Sequence, residues 1–220
     1  MIWRELKFIL LHIPRTGGTT IEQIMSDTVG NTRRGVEKGE GFDNKHIDAE
    51  RAEFMWDRWF SDPAFTVATI VRNPLTLVAS QFMQNHDWAY DKDGDEQIIA
   101  RDFQTWLKSI PHVLLPTSAE VDDHIAGLPG ASASSAGESQ SRFLRCSKRD
   151  EIRVMRFEDY KSELKELFYD LGIPNTTRHK GNRHLPDGFY EGLYDDESEA
   201  IVKSRMAIDF EEFGYTGFDT

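Results

Sequence analysis

Phe8-Ile9-Leu10-Leu11-His12-Ile13-Pro14-Arg15-Thr16-Gly17-Gly18-Thr19-Thr20 decides the fold expected of this 220-residue chain. Phe8 to Leu11 is an unbroken apolar run, the pattern of a buried strand. It ends in a short turn that carries Arg15, Gly17, Gly18 and three threonines, Thr16, Thr19 and Thr20. A helical pattern follows at once, with Ile21, Ile24 and Met25 apolar and Glu22, Gln23 and Ser26 between them. Strand, turn and helix start in that order build an anion site. Backbone N–H groups at a helix N-terminus point outward, and the helix dipole favours negative charge. Gly17 and Gly18 let the backbone wrap closely around an oxyanion. Arg15 adds a charge-assisted hydrogen bond, and the threonine hydroxyls are further donors. The triphosphate loop G-x-x-x-x-G-K-[ST] is a different object, because no lysine follows Gly18 and its first glycine is missing here.

Outward from this stretch, residues 7–12 are expected as a buried strand and 19–29 as the helix behind the turn. Residues 30–45, rich in glycine and charge, read as loop. Asp48 caps a helix that runs to Phe60, with Phe54, Trp56 and Trp59 as apolar bulk. Phe65 to Val71 is a β-branched run closed by Arg72-Asn73-Pro74, where Asn73 suits the N-cap and Pro74 the first helical position. The next helix sets Leu75, Val78, Ala79 and Phe82 on one core-facing stripe. At about 100° per residue, Ser80 falls on the other face with Thr76, Leu77 and Gln84. Residues 86–95 are loop and 96–109 a helix with Ile98, Ile99, Phe103, Trp106 and Leu107. Residues 111–137, with Pro111, Pro116 and Pro129 and a run of alanine, serine and glycine, form a long irregular segment, a candidate lid or substrate wall. A third strand is expected within 151–157, a helix over 158–171 ending near Gly172, a loop over 173–187, and a last helix over 196–210.

Strands separated by helices imply an α/β fold with a central parallel sheet flanked by helices. Ligands of open parallel sheets bind at the carboxyl edge of the strands. The first strand delivers Arg15 to that edge and the second delivers Arg72. Two strand ends, each with a basic residue and a helix start, suit a ligand with two separate anionic groups.

Composition sets the outer bounds. The length fits one domain over 1–220 with a full core. Apolar residues make up 39% and charged residues 29%, ordinary for a globular chain. No run reaches the length that spans a bilayer, and charge interrupts Met1-Ile2-Trp3-Arg4-Glu5-Leu6-Lys7 before a signal-peptide core forms. Cys146 is the sole cysteine, so no intrachain disulfide exists and a reducing cytoplasm is expected. Cys146 itself reads as a small packing residue rather than a nucleophile. A net charge of −12 argues against nucleic acid as a partner and against a long polyanionic acceptor. A local basic cleft remains compatible with it, and the basic residues of 142–149 and 178–183 are candidates.

His12 to Thr20 resembles the loop of the sulfotransferases that use 3′-phosphoadenosine 5′-phosphosulfate (PAPS). The carbohydrate and heparan sulfate 2-O type carries H-[IV]-P-K-T-G-[GS]-T-[ST], which this chain matches except for Arg15 at the lysine position. The same family has R-[DN]-P with a serine eight residues after the arginine, and Arg72-Asn73-Pro74 with Ser80 match it. Leu77 stands where the family often has arginine, a departure. Ser139-Gln140-Ser141-Arg142-Phe143-Leu144 is similar to its S-x-Q-T-x-x-L region. Val154-Met155-Arg156-Phe157-Glu158-Asp159-Tyr160 is similar to its R-F-E-[DN]-[LY] junction. His179-Lys180-Gly181-Asn182-Arg183-His184, then Asp209-Phe210 and Phe213-Gly214-Tyr215, are similar to its C-terminal patterns. In this order the likeness covers residues 8–215.

The resemblance implies a three-layer, P-loop-like fold and transfer of a sulfuryl group from PAPS to a hydroxyl of a carbohydrate or small molecule, leaving adenosine 3′,5′-bisphosphate (PAP). Pro14, Arg15, Thr16, Gly17, Gly18, Thr19 and Thr20 would hold the phosphosulfate. Arg72 and Ser80 would hold the 3′-phosphate, with Lys180 and Arg183 as further phosphate contacts. Arg15 would neutralise charge on the bridging oxygen, and no metal is required. A base must take the acceptor proton, and a histidine suits that task. His46, in Asn44-Lys45-His46-Ile47-Asp48-Ala49, is the first choice. His179 and His184 compete, and His12 is expected to be structural. A nucleotide phosphotransferase and a catalytically silent nucleotide-binding protein are the alternatives. Acceptor identity and oligomeric state are not encoded in any pattern found, although Trp88 and Tyr90 are candidates to stack on a sugar.

Overall fold

In a computed structural model of the chain, residues 1–29, 46–86, 96–110, 139–174 and 188–218 are described. They form an α/β structure with a four-stranded mixed sheet flanked by helices, in strand order β1-β2-β3-β4. β2 (Phe8–Leu11), β3 (Thr66–Val71) and β4 (Arg153–Arg156) run parallel, with Leu11 opposite Thr69 and Val71 opposite Arg156. β1 (Ile2–Trp3) pairs antiparallel with β2. The all-parallel sheet expected from sequence is therefore corrected at one edge. The reason is a tight turn at Arg4–Lys7. The Lys7 N–H donates to the Arg4 carbonyl at 3.1 Å, and Lys7 sits at φ +48°. That turn folds Ile2 and Trp3 back onto β2 and buries them. The charges that break the apolar pattern are the turn.

The chain divides into two units, Met1–Val71 with Leu115–Lys180, and Arg72–Leu114 with Gly181–Thr220. In the first unit, Phe8, Leu10, Ala68, Ile70 and Met155 line one face of the sheet. They pack with Ile21, Ile24 and Met25 of α1 (Gly18–Val29) and Leu164, Leu167 and Phe168 of the later helix Tyr160–Asp170. The period of two in the strands meets the three-and-four spacing in the helices. Ile9, Leu11, Thr69 and Val71, on the opposite face, are buried as well, which is why these strands read as continuous apolar runs.

Asp48 caps α2 (Ala49–Met55) as expected, accepting the Arg51 N–H at 3.0 Å and pairing with its guanidinium at 2.8 Å. The helix does not run on to Phe60. It breaks at Trp56 (φ −118°, ψ 26°) and restarts as α3 (Asp57–Phe60).

The second unit holds α4 (Pro74–His86) and α5 (Glu96–Ser109). Leu75, Val78, Ala79 and Phe82 are buried, as the stripe requires. Leu77, Ser80 and Gln81 are buried too, while Thr76 is half-buried and Gln84 exposed on the face that Ser80 shares. No side chain from Leu75 to Met83 is charged, and nothing obliges a face of that stretch to stay in water. Phe82, Phe103, Trp106 and Tyr194 form an aromatic core with ring centroids 4.7–6.1 Å apart along its contacts.

Back in the first unit, α6 (Gln140–Phe143) is capped by Ser139, and α7 is the helix Tyr160–Asp170 already met, closed by Gly172 at φ +67°. In the second, the single helix expected over 196–210 is two, α8 (Asp196–Arg205) and α9 (Ala207–Phe213), broken at buried Met206 (φ −112°, ψ 26°). The candidate lid 111–137 lies outside the described residues, as do residues 30–45.

Candidate active site

The apolar run of β2 ends at Leu11, and the next residues turn sharply. His12 and Ile13 are buried, and the Thr16 hydroxyl donates to the Ile13 carbonyl at 2.8 Å, which closes the turn from inside. Arg15 sits at φ +68° and Gly17 at φ +88°. Positive φ at nearby residues is the backbone from which anion-binding concavities are made. It costs glycine little and a side-chain-bearing residue about 1 kcal/mol or more. Arg15 thus occupies, half-buried, a conformation that favours glycine. The helix begins at Gly18, and the Thr20 N–H donates to the Gly17 carbonyl at 3.0 Å.

Both glycines are required by what touches them. A Cβ on Gly18 would run into the His12 ring, 2.6 Å from its Nε2. A Cβ on Gly17 would lie 2.8 Å from the Tyr160 ring and 3.2 Å from that of Phe157. The Tyr160 hydroxyl donates to the Gly17 carbonyl at 2.7 Å. Burial pushes the Tyr160 phenol up to about 12, and a hydrogen bond with the Thr20 side chain pulls the other way. Of the three threonines expected to offer hydroxyls, Thr16 is turned inward and Thr20 engages Tyr160. Thr19 is the exposed one.

His46 comes to this loop from a residue distant in sequence. Its Nδ1 lies 3.1 Å from the His12 carbonyl, and the two rings are 4.8 Å apart and tilted by 51°. A carbonyl can only accept, so Nδ1 carries the hydrogen. In the neutral ring the lone pair is then on Nε2. The His12 ring is buried against Gly18.

Arg72 and Asn73 open the second unit. Arg72 is 6% exposed, and its guanidinium donates from Nε to the Thr76 hydroxyl at 3.0 Å and lies 5.2 Å from the centre of the Tyr190 ring. Asn73 is the N-cap anticipated, with its Oδ1 accepting the Leu75 N–H at 3.0 Å. Its Nδ2 also donates to the Gly217 carbonyl at 2.6 Å. Ser80 is 1% exposed. Lys180 and Arg183, with His179 and His184, lie outside the described residues.

Burial raises the Cys146 thiol, which keeps it protonated and fits a packing role. Among the described residues no group of histidine, cysteine and carboxylate side chains is placed to hold a metal ion. Sequence reasoning passed over Tyr160, whose only signal was the tyrosine that ends Arg156-Phe157-Glu158-Asp159-Tyr160. It also passed over the tie to Gly217, which has no local signal. No protein-family model matches the chain, and no curated protein matches it.

Proposed function

We propose that this chain is a PAPS-dependent sulfotransferase acting on a hydroxyl of a carbohydrate or small-molecule acceptor. The observation that carries the reading is the turn after β2. It combines a positive-φ backbone, a half-buried arginine and a histidine whose Nε2 lone pair is fixed by the bond from Nδ1 to His12. A three-layer, P-loop-like architecture and a cytoplasmic setting belong to the same reading. Among the described residues, no helix is long and apolar enough to cross a membrane.

In this reaction His46 Nε2 takes the acceptor hydroxyl proton as the new S–O bond forms. The S–O bond to the 5′-phosphate breaks, and its electron pair leaves with PAP. Arg15 meets the charge that develops on the departing oxygen. Such positioned charge is worth roughly 100- to 1,000-fold in rate when removed. Arginine stays protonated, so it stabilises this charge without donating a proton. The N–H groups of Gly17, Gly18 and Thr19 would hold the sulfonate and 5′-phosphate, with Pro14, Thr16 and Thr20 shaping the turn. Arg72 and Ser80 are assigned the 3′-phosphate, and Lys180 and Arg183 complete the anion contacts.

The test is a calorimetric titration with PAP, run beside ATP with magnesium. Metal-independent binding of PAP that weakens in Arg15→Ala and Arg72→Ala supports the reading. In an acceptor screen with PAPS, His46→Ala should lose about 100- to 10,000-fold in turnover while still binding PAP. Binding of ATP with magnesium alone would replace this reading with a phosphotransferase. PAP binding without any turnover would make the chain a silent nucleotide binder.

A further inference from the structure

The loop is clamped from outside by one side chain. Tyr160 leads α7, far in sequence from the turn, yet its hydroxyl donates to the Gly17 carbonyl at 2.7 Å and its ring abuts the Gly17 Cα. Among the described residues there is no cis peptide bond, and in a trans peptide the carbonyl and the following N–H point in opposite directions. A carbonyl of Gly17 held toward Tyr160 therefore turns the Gly18 N–H away from Tyr160, to the other side of the turn. Gly17 at φ +88° has no side chain to resist rotation of this peptide. What resists it are the two hydrogen bonds to its oxygen, one from Tyr160 and one from the Thr20 N–H at 3.0 Å.

We infer that Tyr160 is a positioning residue that fixes the Gly17–Gly18 peptide plane, so that the Gly18 N–H is presented to the anion before the anion arrives. The use of that N–H for the PAPS phosphosulfate rests on the function proposed above. The orientation itself does not. Preorganising a donor raises affinity by removing the cost of ordering it at binding. The Thr20 side chain, bonded to the same phenol, holds the clamp from the helix side.

Tyr160→Phe keeps the ring against Gly17 and deletes only the hydroxyl, so the fold is retained. Tyr169→Phe, on the same helix and 84% exposed, is the control. Two readouts are taken on the full chain. The first is the backbone 13C′ shift of Gly17 and the 15N and 1H shifts of Gly18 without ligand. The second is the PAP dissociation constant. Expected are a displacement of those resonances and about a fivefold weaker PAP complex in Tyr160→Phe, the size of one hydrogen bond, with neither change in Tyr169→Phe. Unmoved Gly17 and Gly18 resonances would overturn the positioning role. Moved resonances with unchanged PAP affinity would overturn the link from orientation to binding. Failure of the unsubstituted chain to bind PAP, with the resonances still moving in Tyr160→Phe, would sink the function proposed above and leave the positioning role supported.

Discussion

Two strand-to-helix corners of this chain do the same topological job in opposite ways. After β2, the backbone turns through positive φ at Arg15 and Gly17, and an outside side chain, Tyr160, holds the turn. After β3, Asn73 and Pro74 start the helix, and the corner is capped by its own residues, with the Asn73 Nδ2 bond to the Gly217 carbonyl as a distant tie. Asn73 Oδ1 takes the Leu75 N–H, and the Asn73 carbonyl takes the Thr76 hydroxyl at 3.1 Å and the Leu77 N–H at 2.9 Å. The first corner is shaped by conformations that cost energy; the second is a conventional cap that stabilises. An anion at the second corner would meet side chains, Arg72 foremost, because the Leu75 N–H is already engaged.

The harshest way to break the first corner is Gly18→Ala. The new methyl collides with the buried His12 ring, and about 1–3 kcal/mol of stability is lost, read as a lower urea midpoint with unchanged slope. Combining it with His12→Ala should recover part of that loss, since the two act on one contact. If Gly18→Ala is neutral, the packing described here is wrong.

Arg15 separates charge from backbone. Arg15→Ala should weaken PAP about 10- to 100-fold, the range of a charge-assisted bond. Arg15→Gly should lose the same affinity while gaining about 0.5–1 kcal/mol of stability, because glycine accepts φ +68° without strain. Equal stability of the two variants would remove the strain argument.

At the second corner, Asn73→Ala should cost about 1 kcal/mol for the lost cap. Asn73→Asp keeps the acceptor for Leu75 and loses the donor to Gly217, so a smaller loss isolates that tie. Thermal midpoints of the three proteins decide it.

The smallest effect is alkaline. An unfolded tyrosine titrates near 10. Tyr160 is raised to about 12, and burial raises Tyr194 well above the usual value. Raised phenols favour the folded state while protonated. The Tyr160 contribution is full below pH 10 and fades as pH climbs through about 12. Urea titrations at pH 9, 10 and 11 should show Tyr160→Phe losing less stability over that range than the unsubstituted chain. A steeper loss in the variant would contradict the buried phenol.

Much of this was legible in local pattern. The β2 run, the Asp48 and Asn73 caps, Pro74 at the helix start and the stripe from Leu75 to Phe82 each depend on neighbours in sequence, and each is where it was expected. The misses share a physical cause. Trp56 and Met206 both break a helix at nearly the same backbone angles while staying buried. The apolar spacing continues across each break, so periodicity passes over it. The hairpin of Ile2–Trp3 uses Lys7, not glycine or asparagine, at positive φ, and so lacks the usual turn signal. Tyr160 and Gly217 act through pairings 143 and 144 residues apart, invisible to any local window.

The margins of the sheet have a consequence for self-association. Exposed strand edges are templates on which further strands can polymerise. Among the described residues one margin is a β1 of only two residues, too short to seed a long ladder. The other, β4, begins and ends in arginine, and Arg153 is held by Asp170 at 2.7 Å and Glu166 at 3.5 Å across the strand's flank. A newcomer strand would have to lie along those charges. The shortness of one rim and the ionic dressing of the other both work against propagation of so apolar a central sheet into fibres.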